Sequence, residues 1–157
     1  ETGFWSRGFL HRIGIKKPLA TEELGGAFHM HFVYEALGRP WPYPEQVVDA
    51  ALALQQENGF WDGEVTYCID LDGLYCLIRS SRNADGYRAA DVEAAVHRYL
   101  EHAERTLNDG PFLFERYDNS HRLPGALSAV AECQKWFPEL VKSERPWAQT
   151  LDSAPFI

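Results

Sequence analysis

From Pro44 to Gln55 the apolar residues Val47, Val48, Ala51 and Leu52 recur with the spacing of one helical face, and Gln55 continues that face. Pro44 suits the first turn, where its missing N–H is not needed. A longer stripe of the same kind, Val92, Ala95, Val96, Tyr99, Leu100, Ala103 and Leu107, predicts a long amphipathic helix, with Asp91 in the first turn favouring the helix dipole. Glu22 to Leu37 reads as a helix stopped by Gly38-Arg39-Pro40, because proline cannot continue the hydrogen-bond ladder. Asp70 to Ser80 reads as another, followed by a turn over Asn83 to Gly86. A further helix is expected from about Leu123 to Trp136, with a break at Pro138 and a tail holding Pro146 and Trp147. The pattern is helix, loop, helix and aromatic turn, so the expected class is all-α.

The order of these elements repeats. Gln55-Gln56-Glu57-Asn58-Gly59-Phe60-Trp61 closes a helix, and weaker copies of its tail stand at Gly3-Phe4-Trp5 and Gly110-Pro111-Phe112. A second landmark follows each of them: Leu24-Gly25-Gly26, Leu71-Asp72-Gly73 and Leu123-Pro124-Gly125. Intervals of 56 and 51 residues for the first landmark and 47 and 52 for the second keep the copies in phase. A period near fifty residues signals stacked supersecondary units. In the turn itself, glycine accepts the backbone that ends a helix, the glutamine amide bonds to free backbone groups, and the tryptophan covers the junction. The expectation is one repeat domain over 1–157, three helix pairs forming an open arc. Such an arc leaves apolar edges and predicts a second copy of the chain or the remainder of a longer one.

Composition narrows the function classes. The 157 residues are 45% hydrophobic, enough for a sizeable core. A formal charge of −8 without a lysine or arginine block argues against a grip on nucleic acid or anionic lipid, and no uncharged apolar run is long enough to span a bilayer. Three cysteines, Cys68, Cys76 and Cys133, in no metal or redox spacing favour a reducing, cytoplasmic setting. The chain opens at Glu1-Thr2-Gly3, inside a repeat, which reads as a processed chain or a part of a longer protein.

Chemistry concentrates in Cys68-Ile69-Asp70-Leu71-Asp72-Gly73-Leu74-Tyr75, at the start of a predicted helix. Two readings compete: Asp70 and Asp72 cap the helix by accepting from its free N–H groups, or they carry a reaction. Asp72 stands where the other copies have Gly25 and Pro124, so the repeat itself does not require a carboxylate there. His121 occupies the corresponding position of the third unit, placed to relay a proton with Asp72 or to bind a metal. His29 is the better of the pair His29 and His31 to face a cavity, with Glu22 and Tyr34 beside it. Tyr75 and the aromatic group Trp41, Tyr43 and Trp61 are further candidates for a substrate lining. Arg79, Arg82 and Arg88 read as solvated helix-end charges, and His97 and His102 as surface residues.

The Gln-x-x-x-Gly-x-Trp turn with its weaker copies resembles the elements of the terpenoid cyclase and protein prenyltransferase superfamily. That resemblance covers most of residues 1–137 and implies an α/α toroid of inner and outer helices. Asp70-Leu71-Asp72-Gly73 is similar to the D-x-D-D acid motif of class II terpene cyclases, with glycine in the last position, and this implies Asp72 as proton donor with Asp70 and His121 assisting. Protein prenyltransferases hold zinc with an aspartate, a cysteine and a histidine. Asp72, Cys76 and His121 supply those types, although the family places its cysteine where this chain has Leu74. No cofactor is otherwise expected. The implied partner is a small molecule in a central cavity; the alternatives are a carbohydrate-active toroid and a non-catalytic helical scaffold that binds another protein.

Overall fold

The predicted apolar faces turn inward in the computed structural model, which describes residues 2–5, 13–15 and 18–153; Glu1 lies outside them. Among the described residues seven helices follow in order: α1 (Thr21–Ala36), α2 (Pro44–Leu54), α3 (Cys68–Asn83), α4 (Ala89–Leu107), α5 (Gly110–Arg116), α6 (Arg122–Trp136) and α7 (Thr150–Ser153). The described residues contain no strand, so the fold is all-α. All five predicted helices match within two or three residues. The fifth element, α5, is a helix where a copy of the aromatic turn was expected. Asp109 accepts a hydrogen bond from the Phe112 N–H at 3.0 Å, and Pro111 sits in the first turn, so the sequence around Gly110 starts a helix rather than ending one.

One helix organises the rest. α3 packs against α1, α2, α4 and α6, and every residue from Asp70 to Ser81 is buried. The core against it comes from the predicted stripes: Val47, Val48 and Ala51 of α2, and Val92, Ala95, Val96 and Tyr99 of α4. α1 adds Leu24, Ala27, Phe28 and Phe32. An α-helix surrounded in this way has no solvated face, so each of its polar side chains needs a partner or a reason.

The Gln55–Trp61 turn is the clamp that joins α2, α3 and α4. Gln55 Nε2 donates to the Gly59 carbonyl at 2.9 Å and to the Ala95 carbonyl of α4 at 2.8 Å, while Arg98 donates to Gln55 Oε1 at 2.6 Å. Trp61 Nε1 donates to the Ala51 carbonyl at 2.8 Å, and its backbone N–H donates to Asp70 at 2.7 Å. Its ring lies against Gly73, where a Cβ would fall 2.4 Å from the indole. Gly59 has φ +88°, and a Cβ there would lie 2.5 Å from the Arg98 carbonyl oxygen. Gly59→Ala is therefore expected to lose about 2–3 kcal/mol in urea unfolding, with helical content kept below the transition. A loss under 0.5 kcal/mol would mean that the close approach to α4 is not rigid.

The weaker copies do not build the same turn. Gly3 sits close to the start of α2, where a Cβ would meet Val47 Cγ2 at 2.8 Å, and Trp5 packs edge-on to His31 and against Tyr34. The second landmark is better kept: Gly125, like Gly73, is forced by a close approach, here to the backbone of Cys68 at 2.6 Å. Gly26 has nothing within 4 Å, and Met30, Val33 and Leu37 leave an apolar stripe in solvent along that side of α1.

Candidate functional site

On α3 the residues Cys68, Asp72, Tyr75 and Arg79 follow one another at i, i+4, i+7 and i+11, which stacks them along one face. All four carry polar or ionisable groups on the most enclosed helix of the molecule. α1 meets this face with Gly25, Phe28 and Glu35, and α6 with Glu132 and its N-cap His121. The result is a polar seam between two helices, open chemistry at one end and a charge cluster at the other.

At the open end the two aspartates have different roles. Asp70, fully buried, accepts from the backbone N–H of Trp61 at 2.7 Å and of Tyr67 at 3.0 Å, and the Thr66 hydroxyl bonds to it as well. Thr66 in turn lies 3.0 Å from the Tyr99 hydroxyl, so this carboxylate is the anchor that ties the tryptophan turn to the start of α3. Capping, one of the two readings of the sequence, describes Asp70. Asp72 is 7% exposed and has no hydrogen-bond partner among the described residues. Its Oδ2 would lie 3.2 Å from a Cβ on Gly25, so the missing side chain of Gly25 makes room for it.

Burial raises both acids, Asp70 to about 7 and Asp72 to about 8. Three hydrogen bonds restrain the rise of Asp70, whereas Asp72 has none and also faces the charge of Asp70. Asp72 is accordingly the acid that keeps its proton at neutral pH, and Asp70 the one that ionises first. A neutral carboxylic acid held beside a hydrogen-bonded carboxylate can donate a proton.

Around this acid, His121 Nε2 lies 3.1 Å from Cys68 Sγ, one helical turn before Asp72. Burial and then the two aspartates raise the Cys68 pKa. Cys76, the cysteine that the prenyltransferase resemblance offers for zinc, is fully buried in the core, and Asp72, Cys76 and His121 are not gathered into a metal set among the described residues. No group of three or more histidine, cysteine, aspartate or glutamate side chains among the described residues is arranged to hold a metal ion.

The other end of the seam holds Arg79, which is 4% exposed rather than solvated as its sequence position suggested. Its Nε and Nη2 bond to the two oxygens of Glu132 at 2.6 and 2.8 Å, and its Nη1 bonds to Glu35 at 2.6 and 2.7 Å. The Tyr75 hydroxyl donates to Glu35, Trp136 Nε1 donates to Glu132 at 2.8 Å, and the guanidinium lies over the Tyr75 ring at 4.5 Å. Glu35 and Glu132 were absent from the sequence-derived candidates. Their signal was available in the seam: an arginine eleven residues after a cysteine on a buried helix demands carboxylates from its neighbours. Arg82 covers the Trp136 ring at 4.0 Å, and Arg88 pairs at the surface with Asp49 and Asp91.

The proposed lining residues separate. Tyr75 belongs to the seam, but Trp61 is buried in the turn junction. His29 is exposed and meets the Phe28 edge, and Tyr34 packs against Trp5. Trp41 stacks on His31 at 4.3 Å and leans on Tyr75, whereas Tyr43 is 65% exposed. Of the two surface histidines, His97 is exposed and His102 is half-buried against Phe60. An open groove of about 560 Å³ lies between the C-terminal half of α6 and the following loop, lined by Gln134, Lys142 and Pro146 among others, and holds none of the seam residues.

His31 is the enclosed histidine of α1, with both ring nitrogens unpartnered, and burial pushes its pKa down to about 4. The unfolded chain therefore takes up a proton near pH 6.5 that the folded chain refuses until about pH 4. The contribution is full above pH 6.5 and is lost, to a limit of about 3 kcal/mol, as the pH falls to 4. His31→Phe is expected to flatten that acid limb of the stability curve in denaturant titrations; an unchanged limb would place the sensitivity elsewhere.

No family model, no curated protein and no solved structure matches the chain. No helix among the described residues is long and apolar enough to cross a membrane.

Proposed function

We propose that the protein is an acid catalyst of the terpenoid-cyclase type, with Asp72 as proton donor at the helix-start end of an α/α arc. The observation that carries this reading is a buried, unpartnered carboxylic acid that keeps its proton to about pH 8 beside the hydrogen-bonded Asp70. In the reaction the Asp72 O–H bond breaks and a C–H bond forms at a terminal alkene, or an O–H bond at an epoxide. A carbocation and the Asp72 carboxylate result. Aromatic rings can stabilise such a cation; Phe28, Phe32 and Tyr75 continue from Asp72 along the interface of α1 and α3. The arc reading rests on the order of packing, since α1, α3 and α6 carry the three glycine landmarks near their starts and α1 and α6 both pack on α3.

The test is incubation with geranylgeranyl diphosphate and with oxidosqualene in D₂O, with uronate oligosaccharides as the competing class. A cyclised product carrying deuterium at the protonated position, absent with Asp72→Asn, supports the reading; turnover of the uronates alone overturns it. A second reading, a scaffold for another chain, is favoured by the solvent-facing stripe Met30, Val33 and Leu37. Sedimentation gives its check: a second copy bound through α1 would be lost in Val33→Glu.

A further inference from the structure

We infer that Cys68 is a second reactive centre, a thiol nucleophile with His121 as its base, and that it takes the acyl group of an uncharged ester or thioester. The inference is independent of the acid role of Asp72. Its ground is the approach of His121 Nε2 to Cys68 Sγ at 3.1 Å, a contact between the starts of two helices across 53 residues of chain.

The fold builds this pair. Cys68 opens α3, and α6 comes against that helix start because Gly125 has no side chain: a Cβ there would lie 2.6 Å from the Cys68 nitrogen and 3.0 Å from the Tyr67 carbonyl carbon. His121 precedes Gly125 by one helical turn. Asn119 Oδ1 accepts from the backbone N–H groups of His121 and Arg122, both at 3.0 Å, and so fixes the segment that carries the imidazole. Neither partner is sealed, since His121 is exposed and Cys68 half-buried, whereas Cys76 and Cys133 lie in the core.

The electrostatics decide how the thiol is used. The backbone N–H groups of Cys68 and Ile69 favour negative charge on the sulfur, but burial, Asp72 and Asp70 outweigh them, so the resting group is the neutral thiol. A neutral thiol needs a base at the moment of attack, and Nε2 of the tautomer with its hydrogen on Nδ1 is placed to accept the proton. Sulfur attacks the carbonyl carbon as the S–H proton passes to Nε2. An S–C bond forms, the bond from the carbonyl carbon to the leaving oxygen or sulfur breaks, and the departing alcohol or thiol takes the proton from the imidazolium. Water then attacks the acyl carbon with His121 again as base, which releases the carboxylic acid and restores the thiol. Asp70, the aspartate that ionises first, disfavours an anionic substrate beside Cys68, hence the uncharged acyl donor.

The probe is p-nitrophenyl acetate, an uncharged ester with a coloured leaving group. Stopped-flow absorbance is expected to show a burst of one nitrophenolate per chain, with the acetyl group found on the Cys68 peptide by mass spectrometry of the acid-quenched protein. Cys68→Ala should lose the burst. His121→Phe should slow it at least about tenfold, the low side of what a positioned base supplies, with the melting temperature kept because His121 is exposed. The wild type gives a reading that needs no variant: a proton in transfer during the attack makes the burst slower in D₂O, which a preformed thiolate would not. Acetyl groups on lysine alone overturn the nucleophile. A Cys68 burst with neither a solvent isotope effect nor a response to His121→Phe overturns the pair and leaves an accessible thiol. Both failures are distinct from failure of the acid role, which is read by deuterium transfer to a different substrate.

Discussion

Asp72→Asn is expected to make the folded protein more stable as the pH rises, even though it removes the proposed acid. The sign follows from proton uptake. The unfolded aspartate gives up its proton near its ordinary value of 3.8, while the folded one, raised chiefly by burial and secondarily by Asp70, holds it to about pH 8. Between those limits the native state binds one more proton than the unfolded state, so Asp72 costs stability at about 1.4 kcal/mol per pH unit. The cost is absent below pH 4 and complete above pH 8, where it reaches on the order of 5 kcal/mol. Asparagine has no proton to lose. Urea titrations of wild type and variant across this range should therefore diverge with pH, the variant gaining several kcal/mol by pH 8.5. Parallel curves would show that Asp72 ionises normally and would remove the ground for acid catalysis. His31 works in the opposite direction between pH 4 and 6.5, so the wild-type profile alone is a poor guide. The comparison with the asparagine variant isolates the one group. A residue that weakens the fold at working pH is expected where a site needs a protonated carboxyl.

The sequence pattern was most informative where a local rule and tertiary packing agree. Val47, Val48 and Ala51, or Val92, Ala95, Val96 and Tyr99, make one-sided helices whose faces need only find a core, and they do. The tryptophan turn was also legible, because its spacing placed glycine where Gly59 and Gly73 are required by close approach to Arg98 and Trp61. Recurrence was a weaker guide. Gly110-Pro111-Phe112 has the letters of the turn, but Asp109 supplies a helix cap that a three-residue comparison overlooks. For the site, the proximity of Asp70 and Asp72 in sequence concealed their difference: one is held by backbone donors from a turn nine residues earlier, the other faces Gly25 of another helix. Arg79 was misread for a related reason. Helix-end arginines are usually solvated, and only the depth at which α3 runs among four neighbours makes this one buried.

That depth sets the largest expected loss. Arg79→Met should lower stability by about 3–5 kcal/mol, since it leaves Glu132, whose side chain is 1% exposed, with the Trp136 N–H as its remaining donor. Glu35 loses less, because its side chain is 41% exposed and water can replace the guanidinium. The penalty lies in the orphaned charge and not in the absent ion pair, which yields two further expectations. Arg79→Met combined with Glu132→Leu should recover most of the loss, as apolar replacements fill a buried pair's volume without an unpaired carboxylate. Lysine at position 79 should recover little, for one ammonium cannot reproduce the fork that meets both oxygens of Glu132 while reaching Glu35. Denaturant titrations of the single and double variants at pH 7 decide the matter. If the double variant is no more stable than Arg79→Met, the cluster is holding α1, α3 and α6 in place through its geometry, and the seam depends on that geometry at both ends.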